Sequence, residues 1–320
     1  PGGRSPTVTI RIVISLLFLA LMVKVGLAQS ATAPSNLVDS YYHFSLAKMH
    51  HFNEEYGRAV EEFERALTLD HDSATLRVEF AETLLQMNQP ARAIELIKEA
   101  VEIDPENVEA HLALGTVYFG MREQDGMREQ ALTQFMEALA LEPNHPDALQ
   151  YAADLNFQLG RFQEAADLFG RLRRSSPSSI RPRYFEAQAL IELREFEKAI
   201  AILEEGLSIR DDIPDYILML ARLYQGEGDW EKAEALFRRA LENGPEPRLN
   251  EGLARTLVML GKGEEAVPIL ERMAEIFPGQ PEIKLDLARA YRLSNQLDKA
   301  ADTLEKLRAS TPDDVWVNYE

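Results

Sequence analysis

Apolar positions between residues 40 and 314 follow the period of an amphipathic helix, and the whole pattern returns about every 34 residues. Each period carries an alanine, followed four residues later by a large apolar side chain on the same helix face. The alanines are Ala59, Ala93, Ala131, Ala165, Ala199, Ala233, Ala266 and Ala300. A helical pattern that recurs at this spacing predicts an array of repeats.

A second small residue precedes seven of the eight alanines by twelve positions, which indicates a second helix in each period. This set is Ala47, Ala81, Gly115, Ala153, Ala187, Ala221, Ala254 and Ala288. Two small residues in step predict two helices that cross closely. Between the helices, five periods carry a residue that accepts the left-handed C-cap conformation. These residues are Asn88, Gly160, Gly228, Gly261 and Asn295.

The segments 78–105 (VEFAETLLQMNQPARAIELIKEAVEIDP) and 218–245 (LMLARLYQGEGDWEKAEALFRRALENGP) carry these positions in an order that resembles the tetratricopeptide repeat. The resemblance implies an all-α fold, a right-handed α-solenoid of about eight helix-turn-helix units. We place the units at 40–73, 74–107, 108–145, 146–179, 180–213, 214–246, 247–280 and 281–314, after a linker at 29–39 and before the start of a further helix at 315–320.

Two units depart from the pattern. The fifth has Glu186 at a core leucine position, Gly206 in place of alanine and Asp211 in place of proline, which predicts a softer joint in the array. The third carries four extra residues within MREQDGMREQ (121–130), and either a longer first helix or a protruding loop would accommodate them.

The N-terminal segment 1–28 differs from the repeats, with three basic residues as its only charges and a run at 12–23 that is apolar except for Ser15. Small residues at Gly26 and Ala28 match a signal-peptidase site, so we expect a secretory signal peptide cleaved after Ala28. The alternative is an uncleaved membrane anchor, in which Lys24 extends to the membrane interface. Both interpretations predict an exported protein, periplasmic or extracellular, with the membrane contacted only through this segment.

Composition excludes several classes of function. The 34 basic and 53 acidic residues give a net charge of -19, which disfavours nucleic-acid binding. The sequence has no cysteine, which removes thiol catalysis and cysteine-ligated zinc. Its six histidines lack the spacing of metal ligands, and no glycine-rich loop follows a strand. The sequence therefore predicts a protein that is not an enzyme and that has no catalytic residues, metal or cofactor.

The family resemblance implies that first-helix side chains line a concave groove and that position nine of each unit faces it. That position is arginine in the last three units, which predicts a cationic ladder suited to an acidic peptide or an anionic polymer. The ladder is Arg222, Arg255 and Arg289, with Arg292 one turn further on. The alternative is that these arginines pair with acids on neighbouring first helices. Those acids are Asp215, Glu251, Glu282 and Asp286.

A second cluster has five arginines and no acid between residues 168 and 185. Its members are Arg171, Arg173, Arg174, Arg181 and Arg183. We consider it a secondary candidate for partner binding. The alternative is that the first three arginines are favoured by the negative end of a helix dipole.

Together these features predict a protein–protein interaction scaffold of the cell envelope that holds an extended peptide or a partner helix in its groove. A second hypothesis is that the repeats are the arm of a larger protein, whose C-terminal part is an enzyme or an outer-membrane barrel for exopolysaccharide export. The sequence beyond residue 320 would distinguish the two.

Overall fold

A computed structural model describes residues 35–210 and 212–310. The predicted signal peptide or anchor, Asp211 and the predicted further helix at 315–320 lie outside these residues. The chain divides into two compact units, and the boundary lies between Leu159 and Gly160, inside the fourth predicted repeat. Within the described residues every regular element is an α-helix.

The first unit consists of helices that pack in the order in which they follow along the chain. They are α1 (Ser35–Phe52), α2 (Tyr56–Leu69), α3 (Ala74–Gln86), α4 (Pro90–Ile103), α5 (Val108–Gly120), α6 (Met127–Leu141) and α7 (Pro146–Gln158). Each helix contacts the next one, and the first helices α3 and α5 also contact each other. Such nearest-neighbour packing is what stacked repeats produce.

The second unit is built in the same way. Its helices are α8 (Phe162–Ser175), α9 (Arg181–Glu192), α10 (Phe196–Ile209), α11 (Pro214–Glu227), α12 (Trp230–Leu241), α13 (Pro247–Met259), α14 (Gly263–Ile276), α15 (Pro281–Leu293) and α16 (Leu297–Ser310). Successive helices pack together, and the first helices α11, α13 and α15 contact one another in turn. The predicted all-α fold of repeated helix pairs is confirmed within each unit.

Close helix crossings explain the small residues that recur in the sequence. Ala81 on α3 and Ala93 on α4 are completely inaccessible to solvent, and so are Ala221 on α11 and Ala233 on α12. Because a methyl group is the largest side chain that such a crossing accommodates, the apolar stripes on both helices can interdigitate at core density. The burial of both alanines in each pair agrees with the predicted close crossing of the paired helices.

The turns between paired helices adopt the left-handed backbone that the sequence predicts at Asn88 and Gly228, whose φ angles are 57° and 85°. Two further turns have the same geometry at Glu54 and Arg194, with φ angles of 62° and 60°. Neither residue type favours this conformation. The packing of the two helices therefore sets the turn, and glycine or asparagine only makes it less costly.

Two details of the predicted organisation are resolved by the structure. Helix α1 begins at Ser35, so residues 35–39, predicted as linker, are helical. The extra turn is held because Leu37 and Val38 are half-buried and extend the apolar face. The additional residues of the third repeat form a loop between Gly120 and Met127, and the first helix is not lengthened.

Candidate partner-binding surface

Two arginines of the predicted ladder share one buried carboxylate. Arg255 on α13 donates from Nε to Oδ2 of Asp286 over 3.1 Å, and Arg289 on α15 donates from Nη1 to Oδ1 over 3.4 Å. Arg255 also lies 3.3 Å from Glu251 on its own helix. Asp286 is only 6% exposed, and the two cations compensate the burial of its charge. Both arginines therefore form ion pairs with acids of the first helices, as the alternative interpretation of the ladder predicts.

The same inter-helix contact recurs in the first unit. Lys48 on α1 forms an ion pair with Glu79 on α3. Lys48 and Glu79 occupy positions nine and six of successive repeats, as Arg255 and Asp286 do. Because stacking places equivalent positions in register, an acid at position six neutralises a base at position nine of the preceding unit.

Arg222 on α11 lacks such an acid. Position six of the next first helix is Gly252, and the Phe237 ring fills the space beside it, with its Cε1 atom 2.6 Å from where a Cβ would stand. Arg222 is exposed and makes no hydrogen bond or ion pair within the described part of the chain. Burial and the charge of Asp215 raise the pKa of the nearby Tyr184 phenol, and the positive charge of Arg222 opposes that shift.

The remaining ladder residue, Arg292, is exposed one turn after Arg289 on α15, and both arginines take part in further interactions within the chain. Asp215, one of the acids considered as a partner of the ladder, accepts a hydrogen bond of 2.9 Å from Arg248. Unlike Arg255 and Arg289, Arg222 therefore has no carboxylate partner among the described residues.

The second basic cluster is interleaved with acids that lie outside its stretch of sequence. Arg173 donates to Glu186 at 2.7 Å and to Glu205 at 3.1 Å. Arg183, which is 2% exposed, donates to Glu205 at 2.7 Å and to the carbonyl of Ser179 at 2.6 Å. Hydrogen bonding to Arg183 lowers the pKa of Glu205, and hydrogen bonding to Glu186 raises the pKa of Arg173. Two of the five bases are therefore structural.

The other three arginines of this cluster have different environments. The guanidinium of Arg181 lies 5.6 Å from the centre of the Phe185 ring, a cation–π contact. Arg171 is half-buried and also interacts within the chain. Arg174 is exposed near the C-terminus of α8. The cluster consequently presents less positive charge than its five arginines suggest.

A contact that joins successive repeats was not predicted from the sequence. The Tyr224 hydroxyl on α11 donates to Glu204 on the preceding second helix, α10, and the Lys232 ammonium on α12 lies 4.9 Å from the centre of the Tyr224 ring. Burial and the carboxylate raise the pKa of the Tyr224 phenol. One tyrosine therefore links three consecutive helices, and we call this arrangement the tyrosine contact.

The tyrosine contact occurs again two repeats later. Tyr291 on α15 donates to Glu271 on α14 over 2.6 Å, and the ammonium of Lys299 on α16 lies 5.0 Å from the Tyr291 ring centre. In both cases the glutamate precedes the tyrosine by twenty residues and the lysine follows it by eight. That spacing is a signal in the sequence that could have identified the contact.

Metal-binding clusters and membrane-spanning helices are both absent from the described residues. In residues 35–210 and 212–310, no group of three or more histidine, aspartate or glutamate side chains has an arrangement that could hold a metal ion. None of the helices in this part of the chain has the length and apolar character needed to span a membrane.

Family models match the chain along most of its repeats. Two models described as tetratricopeptide repeat match residues 53–115, 84–125 and 257–316 in one case and 218–281 in the other, which together is more than half of the chain. A model described as anaphase-promoting complex, cyclosome, subunit 3 matches residues 124–206.

Two curated relatives are similar over much of the chain. The TPR repeat-containing protein YpiA of Bacillus subtilis is 24% identical over 249 residues, which is 77% of this chain and 57% of YpiA. Cellulose synthase operon protein C of Pseudomonas fluorescens is 25% identical over 244 residues, which is 68% of this chain and 18% of that protein. The chain thus spans about half or less of the length of these relatives.

Solved structures share the fold at low identity. The Naa15/Naa10 complex bound to HypK-THB contains a chain that matches with a TM-score of 0.62 and 18% identity, covering 87% of this chain and 43% of that one. YrrB, described as a TPR protein with an unusual peptide-binding site, matches with a TM-score of 0.52 and 19% identity, covering 59% of this chain and 96% of YrrB. From the recurring helix pairs, the buried alanines and the family models, we conclude that the chain belongs to the tetratricopeptide repeat family.

Proposed function

We propose that this protein is a non-catalytic interaction scaffold that binds an extended acidic segment of a partner protein along its first helices. The observation that carries the proposal is the exposed guanidinium of Arg222, which has no carboxylate partner in the described residues. A planar donor fork of this kind is suited to a carboxylate of a partner. In the next two repeats, Arg255 and Arg289 pair with Asp286. Their positive charge is therefore partly neutralised, and they attract a partner carboxylate less strongly than Arg222 does.

The proposal assigns unequal roles to the ladder residues. An acidic side chain of the partner would pair with Arg222 without displacing an internal acid, because Gly252 stands where the second and eighth repeats have Glu79 and Asp286. A partner carboxylate that binds Arg255 would compete with Asp286, because Arg255 compensates the buried charge of Asp286. We therefore place the strongest contact at the sixth repeat.

Binding of a fluorescein-labelled oligoglutamate to the full chain, followed by anisotropy, tests this function. Arg222→Gln should weaken binding by about two- to fivefold, the size of an exposed ion pair. Lys48→Gln, at the equivalent position of the first repeat, should leave binding unchanged because Glu79 already neutralises Lys48. Affinity should fall as salt is raised. Equal affinities for the two variants would contradict the proposal.

We further propose that the protein acts outside the cytoplasm, in the periplasm or extracellular space. Support comes from the basic start, the short apolar run at 12–23 and the small residues Gly26 and Ala28. N-terminal mass spectrometry of the protein from its native host should find a mature chain that begins at Gln29. Recovery of residues 10–28 in the membrane fraction would favour the uncleaved anchor, and recovery of the uncut chain from the cytoplasm would overturn export.

A further inference from the structure

A small pocket of about 120 Å³ lies in the first unit, where α1 meets the turn between α2 and α3. Tyr41 and Phe44 line it from α1, Asp70 and Ser73 from the turn, and Thr75 from the start of α3. Because a water molecule occupies about 30 Å³ in the liquid, the pocket has room for about four heavy atoms. Pockets for whole small molecules measure about 300 to 1,000 Å³, so this one matches the end of a single side chain.

The pocket has a negative charge that nothing in the described part of the chain neutralises. Asp70 is the one charged residue among those that line it. Its carboxylate is half-buried and makes no hydrogen bond or ion pair within residues 35–210 and 212–310. Asp70 is also the C-cap of α2, where the last carbonyl groups of the helix add partial negative charge. The pocket therefore favours a cation.

The bases that are close to Asp70 in the sequence have partners of their own. Arg77 on α3 donates from Nε to Glu99 over 2.9 Å and from Nη1 to a backbone carbonyl of the turn over 3.2 Å. His71 lies 3.3 Å from Asp72, and both side chains are exposed. Neither base forms an ion pair with Asp70, so its charge is available to a ligand.

The second repeat shows the same acid in a structural role. Asp104, the equivalent of Asp70, accepts hydrogen bonds of 3.3 Å from the backbone N–H of Glu106 and from the side chain of Asn107. In the first repeat the equivalent of Asn107 is Ser73, whose hydroxyl caps α3 instead. The turn of the first repeat therefore forms without a side-chain hydrogen bond from Asp70.

The other walls of the pocket suit a planar cation. Tyr41 is 48% exposed, and the hydroxyls of Tyr41 and Thr75 make no hydrogen bond within the described residues. A guanidinium consists of one carbon and three nitrogens, stacks on aromatic rings and donates to several oxygens at once. The second and third repeats have Thr75 and Glu109 at the position of Tyr41, so this combination of ring and free acid belongs to the first repeat.

We propose that this pocket binds an arginine side chain of a partner protein, with the guanidinium between the Tyr41 ring and the Asp70 carboxylate. The carboxylate supplies the charge, the ring supplies a cation–π contact, and the hydroxyls of Tyr41 and Thr75 accept the remaining N–H groups. The site goes beyond the proposed function, since it takes a basic group and lies in the first unit, whereas Arg222 lies in the second.

The probe is a fluorescein-labelled peptide, Gly-Ser-Arg-Ser-Gly, whose binding to the full chain is followed by anisotropy. The same peptide with citrulline, a neutral group of the same shape, should bind about tenfold more weakly, because it loses the ion pair and the cation–π contact. A lysine peptide should bind more weakly than the arginine peptide, because an ammonium does not stack. Equal affinity of the citrulline or the lysine peptide would overturn the proposal.

Two pairs of variants locate the site on a chain that is acidic overall. Asp70→Asn should weaken binding of the arginine peptide at least about threefold, whereas Asp72→Asn, an equal change of charge outside the pocket, should not. Tyr41→Leu should weaken it about two- to fivefold, whereas Tyr42→Leu, at a residue of similar exposure that does not line the pocket, should not. Equal effects of Asp70→Asn and Asp72→Asn in folded proteins would mean general attraction to an acidic surface and would refute the pocket.

Two further measurements separate this site from the Arg222 surface and from a site for a free small molecule. Arg222→Gln should leave binding of the arginine peptide unchanged, and Asp70→Asn should leave binding of oligoglutamate unchanged, so either proposal can fail without the other. Free arginine should compete with the peptide only weakly, because the flanking peptide residues can lie against the exposed part of Tyr41. Competition by free arginine at the concentration at which the unlabelled peptide competes would assign the pocket to a small molecule and overturn the proposal.

Discussion

Replacement of Gly206 by alanine should destabilise the second unit, although alanine is the better helix former. Gly206 lies on α10 at a position where each of the other seven repeats carries alanine or a larger apolar residue. The buried ring of Tyr216, from the sixth repeat, lies against Gly206, and an added Cβ would overlap the ring edge and stand 3.1 Å from Cζ. The ring cannot withdraw easily, because its hydroxyl donates to the carbonyl of Ile180.

The size of the effect follows from three contributions. Overpacking a buried ring costs about 1 to 3 kcal/mol. Loss of the Tyr216–Ile180 hydrogen bond, if the ring shifts, adds about 1 kcal/mol. The better helix propensity of alanine returns about 1 kcal/mol. The net expectation for Gly206→Ala is a loss of about 1 to 3 kcal/mol in the free energy of unfolding.

Urea unfolding followed by circular dichroism measures this difference. Gly226→Ala is the matched control, since Gly226 is exposed within α11 and has no atom within 4 Å of an added Cβ, so this substitution should be neutral or stabilising. Tyr216→Leu in the same chain should remove the penalty of Gly206→Ala by removing the ring. If Gly206→Ala raised the unfolding midpoint as much as Gly226→Ala, the packing argument would be refuted.

Three other predictions concern stability. Ala93→Phe should lower the free energy of unfolding by at least about 1 to 3 kcal/mol, because Ala93 is completely buried. Ala91→Phe, on the exposed side of the same helix, should change that free energy little. Equal unfolding midpoints for the two variants would contradict the helix pairing. Glu186→Leu should lower the free energy of unfolding by about 1 to 3 kcal/mol, because Arg173 loses its partner at 2.7 Å. Arg173→Leu in the same chain should recover most of that loss. Strictly additive effects in the double-mutant cycle would disprove the coupling of the two residues. Burial, followed by hydrogen bonding to a carboxylate, raises the pKa of Tyr291 from 10.0 to about 12, so its contribution to stability should be complete below pH 10.0 and lost as the pH rises to about 12. Tyr291→Phe should flatten that part of a pH–stability profile, and an identical profile for the two proteins would count against it.

Much of the architecture could be predicted because its causes are local and periodic. A close helix crossing excludes all but small side chains, so Ala93 and Ala233 mark the pairing wherever they recur. A turn with positive φ is least costly for glycine and asparagine, which identified Gly228 but not Arg194. Where the neighbouring helices impose the turn, residue preference gives no signal.

The candidate sites depended on contacts between positions that are far apart in the sequence. All the charged residues in the stretch 168–185 are arginines, but the acids Glu186 and Glu205 pair with two of them in the folded chain. Position nine alone predicts three equivalent arginines. Arg222 and Arg255 differ in the residue at position six of the next repeat, which is glycine for Arg222 and the aspartate Asp286 for Arg255.

The helix pairs, their period and the membership of the tetratricopeptide repeat family follow from the sequence alone, because the hydrophobic effect and close packing act on every repeat in the same way. Which charges are neutralised, and where an open cleft remains between α10 and α12, depends on the tertiary structure. Both outcomes depend on stacking: Asp286 reaches Arg255 across a repeat boundary, and the apolar side chains of α10 and α12 form opposite walls only because two repeats place them side by side. Electrostatic energy depends on distances in space, and the repeat pattern alone does not specify which side chain stands opposite which.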